Sequence, residues 1–267
     1  MAMYQVKCKS CAEKSFWRIR RGKLRCKNCL YEFPFKRKLL GLTRYQWEKL
    51  LKWFLRCQSV NVVVEETGIS KYKVLMTLGL IREVMRKDIP EVFSGIVEVD
   101  ETYLGGQKKN KRKSQLRKER EVFGKDSKSG FGTTKQPVFG ILARNGQVWA
   151  ELVPNVEARD LIPLITRQVK IGTKVCSDTW RAYTGLAAKG YVHRTVEHGE
   201  KEYVRGKNHI NGLEGFWGYL KRQLVSRGGI RRERLPLYLA EYVWRYNYRQ
   251  LSVDNQIKRL LNLVAKI

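Results

Sequence analysis

The stretch GIVEVDETYLGG at residues 95–106 decides the fold of the C-terminal part of this chain. Apolar and acidic residues alternate from Val97 to Asp100, which is the two-residue period of a β-strand. Glu98 and Asp100 therefore project from the same face of that strand. Carboxylates on a mostly buried strand are unfavourable unless a cation meets them. The stretch is thus either a strand with solvated carboxylates or a site for an arginine or a metal ion.

The residues that follow predict a mixed α/β domain. Segments 137–143 and 147–153 are predicted strands joined by the hairpin turn Asn145-Gly146, and with the first strand they make three antiparallel strands. Further strands are predicted at 174–178 and 190–196, and helices at 158–169, 179–189, 209–222 and 235–248. This order fits a mixed sheet with helices on its faces.

The N-terminal residues 1–40 carry two CxxC pairs, Cys8/Cys11 and Cys26/Cys29, on either side of a strand–turn–strand pattern. Two such knuckles complete a tetrahedral zinc site and predict a zinc ribbon. Because four protein sulfurs leave no open position on the metal, we expect one structural Zn²⁺ that folds the module and takes no part in chemistry.

Residues 41–90 predict three helices. Thr43 caps the first, the second covers about 60–67, and the third begins after Ser70. A short helix, a glycine-containing turn and a basic helix resemble a helix-turn-helix DNA-binding domain. Its candidate DNA contacts lie early in the third helix, at Lys71, Tyr72 and Lys73. The alternative is a helical hairpin that serves only as a spacer.

The charge of the chain points to a polyanionic partner. Its 267 residues hold 54 Lys and Arg against 25 Asp and Glu, a net charge of +29. Phosphate contacts favour such a surplus, although ribosomal and membrane-surface proteins share it. No apolar run is long enough for a transmembrane helix and no signal peptide is evident, so we expect a cytoplasmic protein without a membrane partner. There, six cysteines suggest metal ligands or free thiols rather than disulfides.

Residues 107–135 are strongly basic and poor in apolar groups, which predicts a mobile loop inserted in the α/β domain. This insertion is either a solvated linker or, as we favour, an arm that lies on a nucleic-acid backbone. Its candidate DNA contacts are Lys108, Lys109, Lys111, Arg112 and Lys113.

Two later acidic residues complete a candidate active site with Asp100. Asp178 ends a predicted strand, where α/β sheets place functional groups, and Glu214 lies on a predicted helix. Three converging carboxylates require divalent cations, and oxygen ligands suit Mg²⁺ or Mn²⁺. Two such ions can clamp the attacking and leaving oxygens of a phosphoryl transfer. Lys221 lies two helical turns after Glu214 and is a candidate for holding the phosphate.

Several neighbouring residues have simpler interpretations. Glu98 and Glu101 flank Asp100 and are predicted to be salt-bridge partners or exposed charges rather than metal ligands. Phe216, Trp217 and Tyr219 are predicted to pack their helix rather than to stack on bases.

Three sequence blocks carry a resemblance to a known family. They are VEVDETYLGG at 97–106, SDTWRAY at 177–183 and HINGLEGFWGYLKRQL at 209–224. Together with the ribbon and the helix-turn-helix, they resemble bacterial insertion-sequence transposases of the DDE type, in the branch related to eukaryotic Merlin elements. The resemblance implies an RNase H-like catalytic domain at 91–267 with Asp100, Asp178 and Glu214 as the metal-binding triad.

The same resemblance sets expectations for the rest of the site. Lys221 matches the lysine that often follows the glutamate of such enzymes. Some members look to carry Asn in place of the third acid, so Asn211, one turn from Glu214, stays an alternative ligand. His198 and His209 are accessory candidates that either orient a phosphate or water or serve as structural histidines.

The implied function is that of a transposase. It would bind the terminal inverted repeats of a transposon, hydrolyse a DNA strand at the transposon end and join the freed 3′-hydroxyl to target DNA at the bacterial nucleoid. Acting on two ends requires at least a homodimer on DNA. The alternatives are a non-enzymatic DNA-binding regulator and an RNase H-like structure-selective nuclease.

Overall fold

The computed structural model describes residues 7–20, 23–34, 39–90, 92–105, 112–123, 133, 135–195, 211–228 and 230–266. The chain divides into two compact units, Met1–Val74 and Leu75–Ile267. The three-part division expected from the sequence, at 1–40, 41–90 and 91–267, stays a prediction. Within the described residues, no helix is both long and apolar enough to cross a membrane.

The N-terminal unit opens with a small antiparallel sheet. Its strands are β1 (Phe16–Ile19), β2 (Lys23–Cys26) and β3 (Glu32–Pro34), in the order β1-β2-β3. The buried core of this sheet is very small and is formed by Cys8, Leu24, Cys26 and Phe33. So few apolar side chains are too little to hold a fold, and a metal is the usual supplement in modules of this size.

Three helices follow in the order predicted from the sequence: α1 (Arg44–Leu55), α2 (Val60–Thr67) and α3 (Lys71–Lys87). Thr43 and Gln46 form a capping box at the start of α1. Helix α2 ends at Gly68, whose φ of 66° is left-handed. The predicted start of α1 and the predicted end of α2 are confirmed, and local capping chemistry decides both.

The second unit is built on a five-stranded mixed sheet. Its strands are β4 (Ile96–Leu104), β5 (Gln136–Ala143), β6 (Val148–Leu152), β7 (Lys174–Ser177) and β8 (Val192–Thr195). Their order is β6-β5-β4-β7-β8, with β4 in the centre. Strand β5 is antiparallel to β4, whereas β7 is parallel to it. The sheet predicted from the sequence is confirmed.

Helices cover both faces of this sheet. The helices of this unit after β4 are α4 (Lys113–Phe123), α5 (Ala158–Gln168), α6 (Asn211–Val225), α7 (Leu235–Asn247) and α8 (Val253–Val264), of which α5, α6 and α7 share cores with the sheet. Val97 and Val99 of β4 pack in a core that includes Leu161 and Ile165 of α5. The opposite face of the sheet packs in a second core with residues of α6 and α7. This is the mixed α/β class expected from the sequence.

Part of the basic insertion at 107–135 is a helix rather than a loop. Lys113–Phe123 form α4, so the prediction of a loop is wrong there. Good helix formers and an i,i+4 pair between Arg117 and Glu121, 3.5 Å apart, favour the helix. The candidate contacts Lys108, Lys109 and Lys111 lie outside the described residues, as do His198 and His209.

Two other predictions of helices need correction. The segment 179–189 forms two short 3₁₀ turns, Arg181–Tyr183 and Ala187–Lys189, instead of one helix. Gly185 lies between them, and a glycine inside a helix is unfavourable. The helix predicted at 235–248 is present as α7. A further helix, α8, follows α7 and was not predicted from the sequence.

A buried ion network joins α3 to α7. Glu241 is fully buried and lies 2.7 Å from Arg82 and 2.9 Å from Arg245. Arg227 approaches the same carboxylate at 3.8 Å. Each of these charged groups is largely removed from water. The guanidinium groups therefore depend on this carboxylate to compensate their charge.

Glu241→Ala is expected to lower the free energy of unfolding by about 3–5 kcal/mol, since it leaves buried guanidinium groups without this carboxylate. Glu151→Ala is the control, because Glu151 forms an exposed pair with Arg167 at 2.7 Å, and such pairs contribute at most about 1 kcal/mol. Urea denaturation of both variants measures the difference. Equal losses would contradict the prediction.

Candidate active site

Asp100 and Asp178 lie side by side at one edge of the central sheet. Strands β4 and β7 are parallel, with Glu98 opposite Cys176. Two residues further along, Asp100 on β4 and Asp178 just after β7 reach the same level. The carboxyl ends of parallel strands are where such sheets place functional groups. The structure therefore brings together two of the predicted triad.

The acids at this edge make it less favourable for one another to ionise. Burial, the charge of Glu101 and that of Asp178 raise the pKa of Asp100 from 3.8 to about 7. Burial and then the charge of Asp178 raise the pKa of Glu101 to about 7, although a hydrogen bond from Tyr183 opposes the shift. Carboxylates arranged in this way can all ionise at neutral pH only beside a cation. Their oxygens suit Mg²⁺ or Mn²⁺, so the residues fit the metal expected from the sequence.

Helix α6 carries the remaining candidates and contacts Asp100 through Trp217. The indole Nε1 of Trp217 donates a 2.9 Å hydrogen bond to Oδ2 of Asp100. Glu214 lies about one turn before Trp217 and Lys221 about one turn after it, so all three share a face of the helix. Burial lowers the pKa of Lys221 and the charge of Asp100 opposes that shift, whereas the charge of Lys135 adds to it. Lys221 is thus within electrostatic reach of Asp100.

The metal-binding role of Asp100 and Asp178 stays a prediction, and so does the identity of the third ligand. Glu214 is exposed in the first turn of α6, and Asn211 is the exposed first residue of that helix. In the described parts of the chain, the only group of three or more metal-binding side chains within 4.8 Å of one another is the cysteine cluster. The carboxylates of Asp100, Asp178 and Glu214 therefore do not all lie within that distance.

Glu98 fixes the start of α6 against β4. Its Oε2 accepts a 3.0 Å hydrogen bond from the backbone N–H of Leu213, and Oε1 lies 3.5 Å from Arg144. A Cβ at Gly212 would lie 3.0 Å from Oε2, so glycine permits this close approach. The prediction of a salt-bridge role for Glu98 is confirmed, and the carboxylate also satisfies an N–H in the first turn of the helix.

The segment after β7 orients Asp178. The backbone N–H of Trp180 donates to Oδ1 of Asp178 at 3.0 Å, and the Trp180 indole donates to the carbonyl of Val156. The hydroxyl of the buried Tyr183 donates to Oε2 of Glu101 at 2.7 Å. Glu101 is therefore neither in a salt bridge of the described residues nor fully exposed; it anchors Tyr183.

The sequence predicts only a packing role for Trp217, and it predicts no site role for Glu101 or Tyr183. The buried position of Trp217 confirms the packing, but its indole also contacts Asp100. All three residues lie inside the three sequence blocks, which could have indicated a role in the site. A buried Tyr or Trp usually finds a hydrogen-bond partner for its polar group.

Comparison with known proteins identifies the family. The sequence model of the ISXO2-like transposase domain matches residues 92–247, which is more than half of the chain. The chain belongs to the ISXO2-like transposases.

Two relatives agree with this family. An uncharacterized transposase-like protein of Haemophilus influenzae is 36% identical over 118 residues, which cover 44% of this chain and 94% of that protein. An uncharacterized protein in the transposable element ISH50 of Halobacterium salinarum is 28% identical over 257 residues, covering 89% of this chain and 84% of that protein. Among solved structures, the catalytic core domain of BIV integrase matches with a TM-score of 0.36 and 12% identity, over 64% of this chain and 97% of that one.

The predicted DNA contacts that the structure describes lie at helix starts. Lys71 and Tyr72 are exposed at the beginning of α3, and Lys73 is partly buried there. Arg112 and Lys113 are exposed at the beginning of α4. Their contact with DNA stays a prediction.

The four N-terminal cysteines of this transposase form the second candidate metal centre. All four Sγ atoms lie within 4.8 Å of one another, and the Cys8–Cys29 and Cys11–Cys26 pairs are 3.5 Å apart. The backbone N–H of Ser10 donates to Sγ of Cys8 at 3.4 Å. Four converging sulfurs on two turns fit a tetrahedral zinc ion better than an open catalytic site.

Cys11→Ser is expected to remove bound zinc and to expose the ribbon to protease, because zinc-site folding depends on the complete ligand set. Cys57→Ser is the matched control, since Cys57 is exposed and lies outside the cluster. Elemental analysis and limited proteolysis measure both effects. Retention of zinc by Cys11→Ser would contradict a four-cysteine site.

Asp100→Asn is expected to raise the melting temperature of the metal-free transposase at pH 8, by about 2–4 °C per kcal/mol of relieved repulsion. The pKa of Asp100 is higher in the folded protein than in the unfolded chain. The contribution of Asp100 to folding stability is therefore fully present below pH 3.8 and is lost as the pH rises through about 7. The advantage of Asn should therefore shrink at pH 5.

Asp254→Asn is the control for this experiment, because Asp254 is exposed in the first turn of α8. Thermal unfolding with and without Mn²⁺ is the measurement. Mn²⁺ is expected to stabilise the wild type and Asp254→Asn but not Asp100→Asn. An Asp100→Asn variant that is less stable than the wild type at pH 8 without metal would contradict the prediction.

Proposed function

We propose that this transposase binds the terminal inverted repeats of its element, cleaves a DNA strand at each end and joins the freed 3′-hydroxyl to target DNA. The observation that carries the proposal is the pairing of Asp100 with Asp178 at the sheet edge. Lys221 on α6 lies close enough for its charge to interact with that of Asp100. A net charge of +29 suits a DNA substrate.

The acids of the site would hold the metal, and the lysines would hold the phosphate. Divalent cations bound there would activate the attacking water or 3′-hydroxyl and neutralise charge on the departing oxygen. Asp100 and Asp178 supply oxygen ligands, and Glu214 is the proposed third. Lys221 and Lys135 repel each other electrostatically, and a phosphodiester between them would relieve that repulsion. Lys135 is an addition to the residues proposed from sequence.

Recognition of DNA is assigned to other parts of the chain. The exposed start of α3, with Lys71 and Tyr72, suits a major groove, and the basic α4 suits a phosphate backbone. The zinc ribbon would support this binding without chemistry of its own. Joining two ends implies at least two copies of the chain on DNA, in the cytoplasm at the nucleoid.

The test uses pre-cut end DNA made from the inverted repeats that flank the gene, together with a plasmid target and Mg²⁺ or Mn²⁺. The wild type is expected to give joined product. Asp100→Asn and Asp178→Asn should each abolish joining while they retain DNA binding, because each removes a metal ligand. Asp254→Asn, whose residue is exposed on α8, is the control and should join normally.

The outcomes separate the alternatives. Cutting without joining, with correct ends supplied, would favour a structure-selective nuclease. Binding with neither reaction would favour a DNA-binding regulator. Glu214→Gln and Asn211→Ala in the same assay identify the third ligand: we expect loss of joining with the first and retention with the second.

A further inference from the structure

The indole ring of Trp217 lies across two strands of the sheet at the level of Asp100. Its Nε1 donates to Oδ2 of Asp100 on β4 at 2.9 Å. The far edge of the same ring lies over Gly140 of β5, which is the residue directly opposite Asp100. One side chain from α6 thus contacts both members of a cross-strand pair.

Gly140 is the residue that makes room for this ring. A Cβ at Gly140 would lie 2.6 Å from two carbons of the Trp217 ring, Cζ2 and Cη2. Contacts that short do not occur, so any larger residue would displace the indole. The clash would fall on the six-membered ring and move its N–H relative to Asp100.

The hydrogen bond restricts the orientation of the Asp100 carboxylate. With Oδ2 held by the indole, the side chain cannot turn away from the sheet edge without losing a partly buried hydrogen bond. A carboxylate offers about four acceptor sites, so one donor leaves capacity for a cation. In known metal sites, partners that hold a ligand in this way contribute substantially to metal affinity.

We propose that Trp217 is a positioning residue that orients Asp100 for the divalent cation and ties α6 to the metal-binding edge. The role rests on the proposed function, because it presupposes that Asp100 binds a cation. The same contact sets the position of Glu214 and Lys221, which lie one turn away on either side of Trp217. Gly140 contributes by having no side chain, which leaves room for the ring.

A purely apolar role for Trp217 is the competing explanation. Its ring packs in the core with Phe216, at a centroid distance of 5.1 Å. The test must therefore separate the N–H group from the ring. Trp217→Phe removes the donor and keeps an aromatic ring, whereas Gly140→Ala keeps the indole and shifts it.

The measurement is the affinity for Mn²⁺ by titration calorimetry, together with the Mn²⁺ concentration that half-saturates strand joining. Trp217→Phe is expected to weaken Mn²⁺ binding about 10–100-fold, the usual range for a lost supporting partner. Gly140→Ala should act in the same direction. The double variant should lose little more than either single variant, because both disrupt one contact.

Trp244→Phe is the matched control. Trp244 is fully buried and its indole donates to Oδ2 of Asp88 at 2.8 Å. The Trp244→Phe variant therefore loses the same kind of hydrogen bond and a similar packing volume, away from the metal-binding edge. Trp244→Phe is expected to lower the melting temperature and to leave Mn²⁺ affinity unchanged.

A measurement on the wild type does not depend on the folding of any variant. The seven tryptophans each give one indole N–H signal in a ¹⁵N-tryptophan-labelled sample. On titration with Mg²⁺, the Trp217 signal should shift with the midpoint of metal binding, and the Trp244 signal should stay in place.

Two results would overturn the proposal. One is a folded Trp217→Phe variant with wild-type Mn²⁺ affinity, and the other is a Trp217 indole signal that does not respond to Mg²⁺ in a wild type that binds it. Failure of the wild type to bind Mn²⁺ and to join ends is a different outcome, because it would refute the proposed function itself.

Discussion

The second unit depends on one constraint: two aspartates, both only partly exposed, lie side by side at one edge of the sheet. Asp100 is carried by the central strand, and Asp178 follows the strand parallel to it. Burial and neighbouring acids raise the pKa of Asp100 to about 7, so without a cation the arrangement opposes stability above that pH. Keeping such acids together without a cation therefore costs stability, a cost that active sites commonly carry.

Aromatic side chains with polar tips hold this edge from both faces of the sheet. Trp217 donates to Asp100 from the α6 side, whereas Tyr183 donates to Glu101 from the other side. Each ring is buried in the core on its own face, so the same side chain supplies packing and a directed hydrogen bond. The orientation of the acids is therefore coupled to the cores, and core substitutions can alter the site without touching a carboxylate.

Local patterns predicted the parts of this molecule that local chemistry decides. The alternation at 97–100 predicted β4, the Asn145-Gly146 turn predicted the hairpin, and the CxxC pairs predicted the ribbon. The pairing of Asp100 with Asp178 followed from the strand ends. The partners of Trp217 and Glu101 could not be read from the sequence, because they lie more than 80 positions away in the chain. The prediction of a helix at 179–189 was wrong for a related reason: its aromatic spacing fits a helix, but its aromatic side chains contact Val156 and Glu101, which are distant in the sequence.

The direction of α6 bears on which residue completes the metal site. Leu213 contacts Glu98, and Trp217, four residues on, contacts Asp100, two residues further along β4. Four residues of helix and two of strand both advance about 6–7 Å, so α6 runs alongside β4 in the same direction. Asn211 then lies about 9 Å behind Trp217 along the helix axis, near the level of Glu98, whereas Glu214 lies only about 4.5 Å behind it. Glutamate also has the longer side chain, so both the axial position and the reach favour Glu214 over Asn211 as the third ligand.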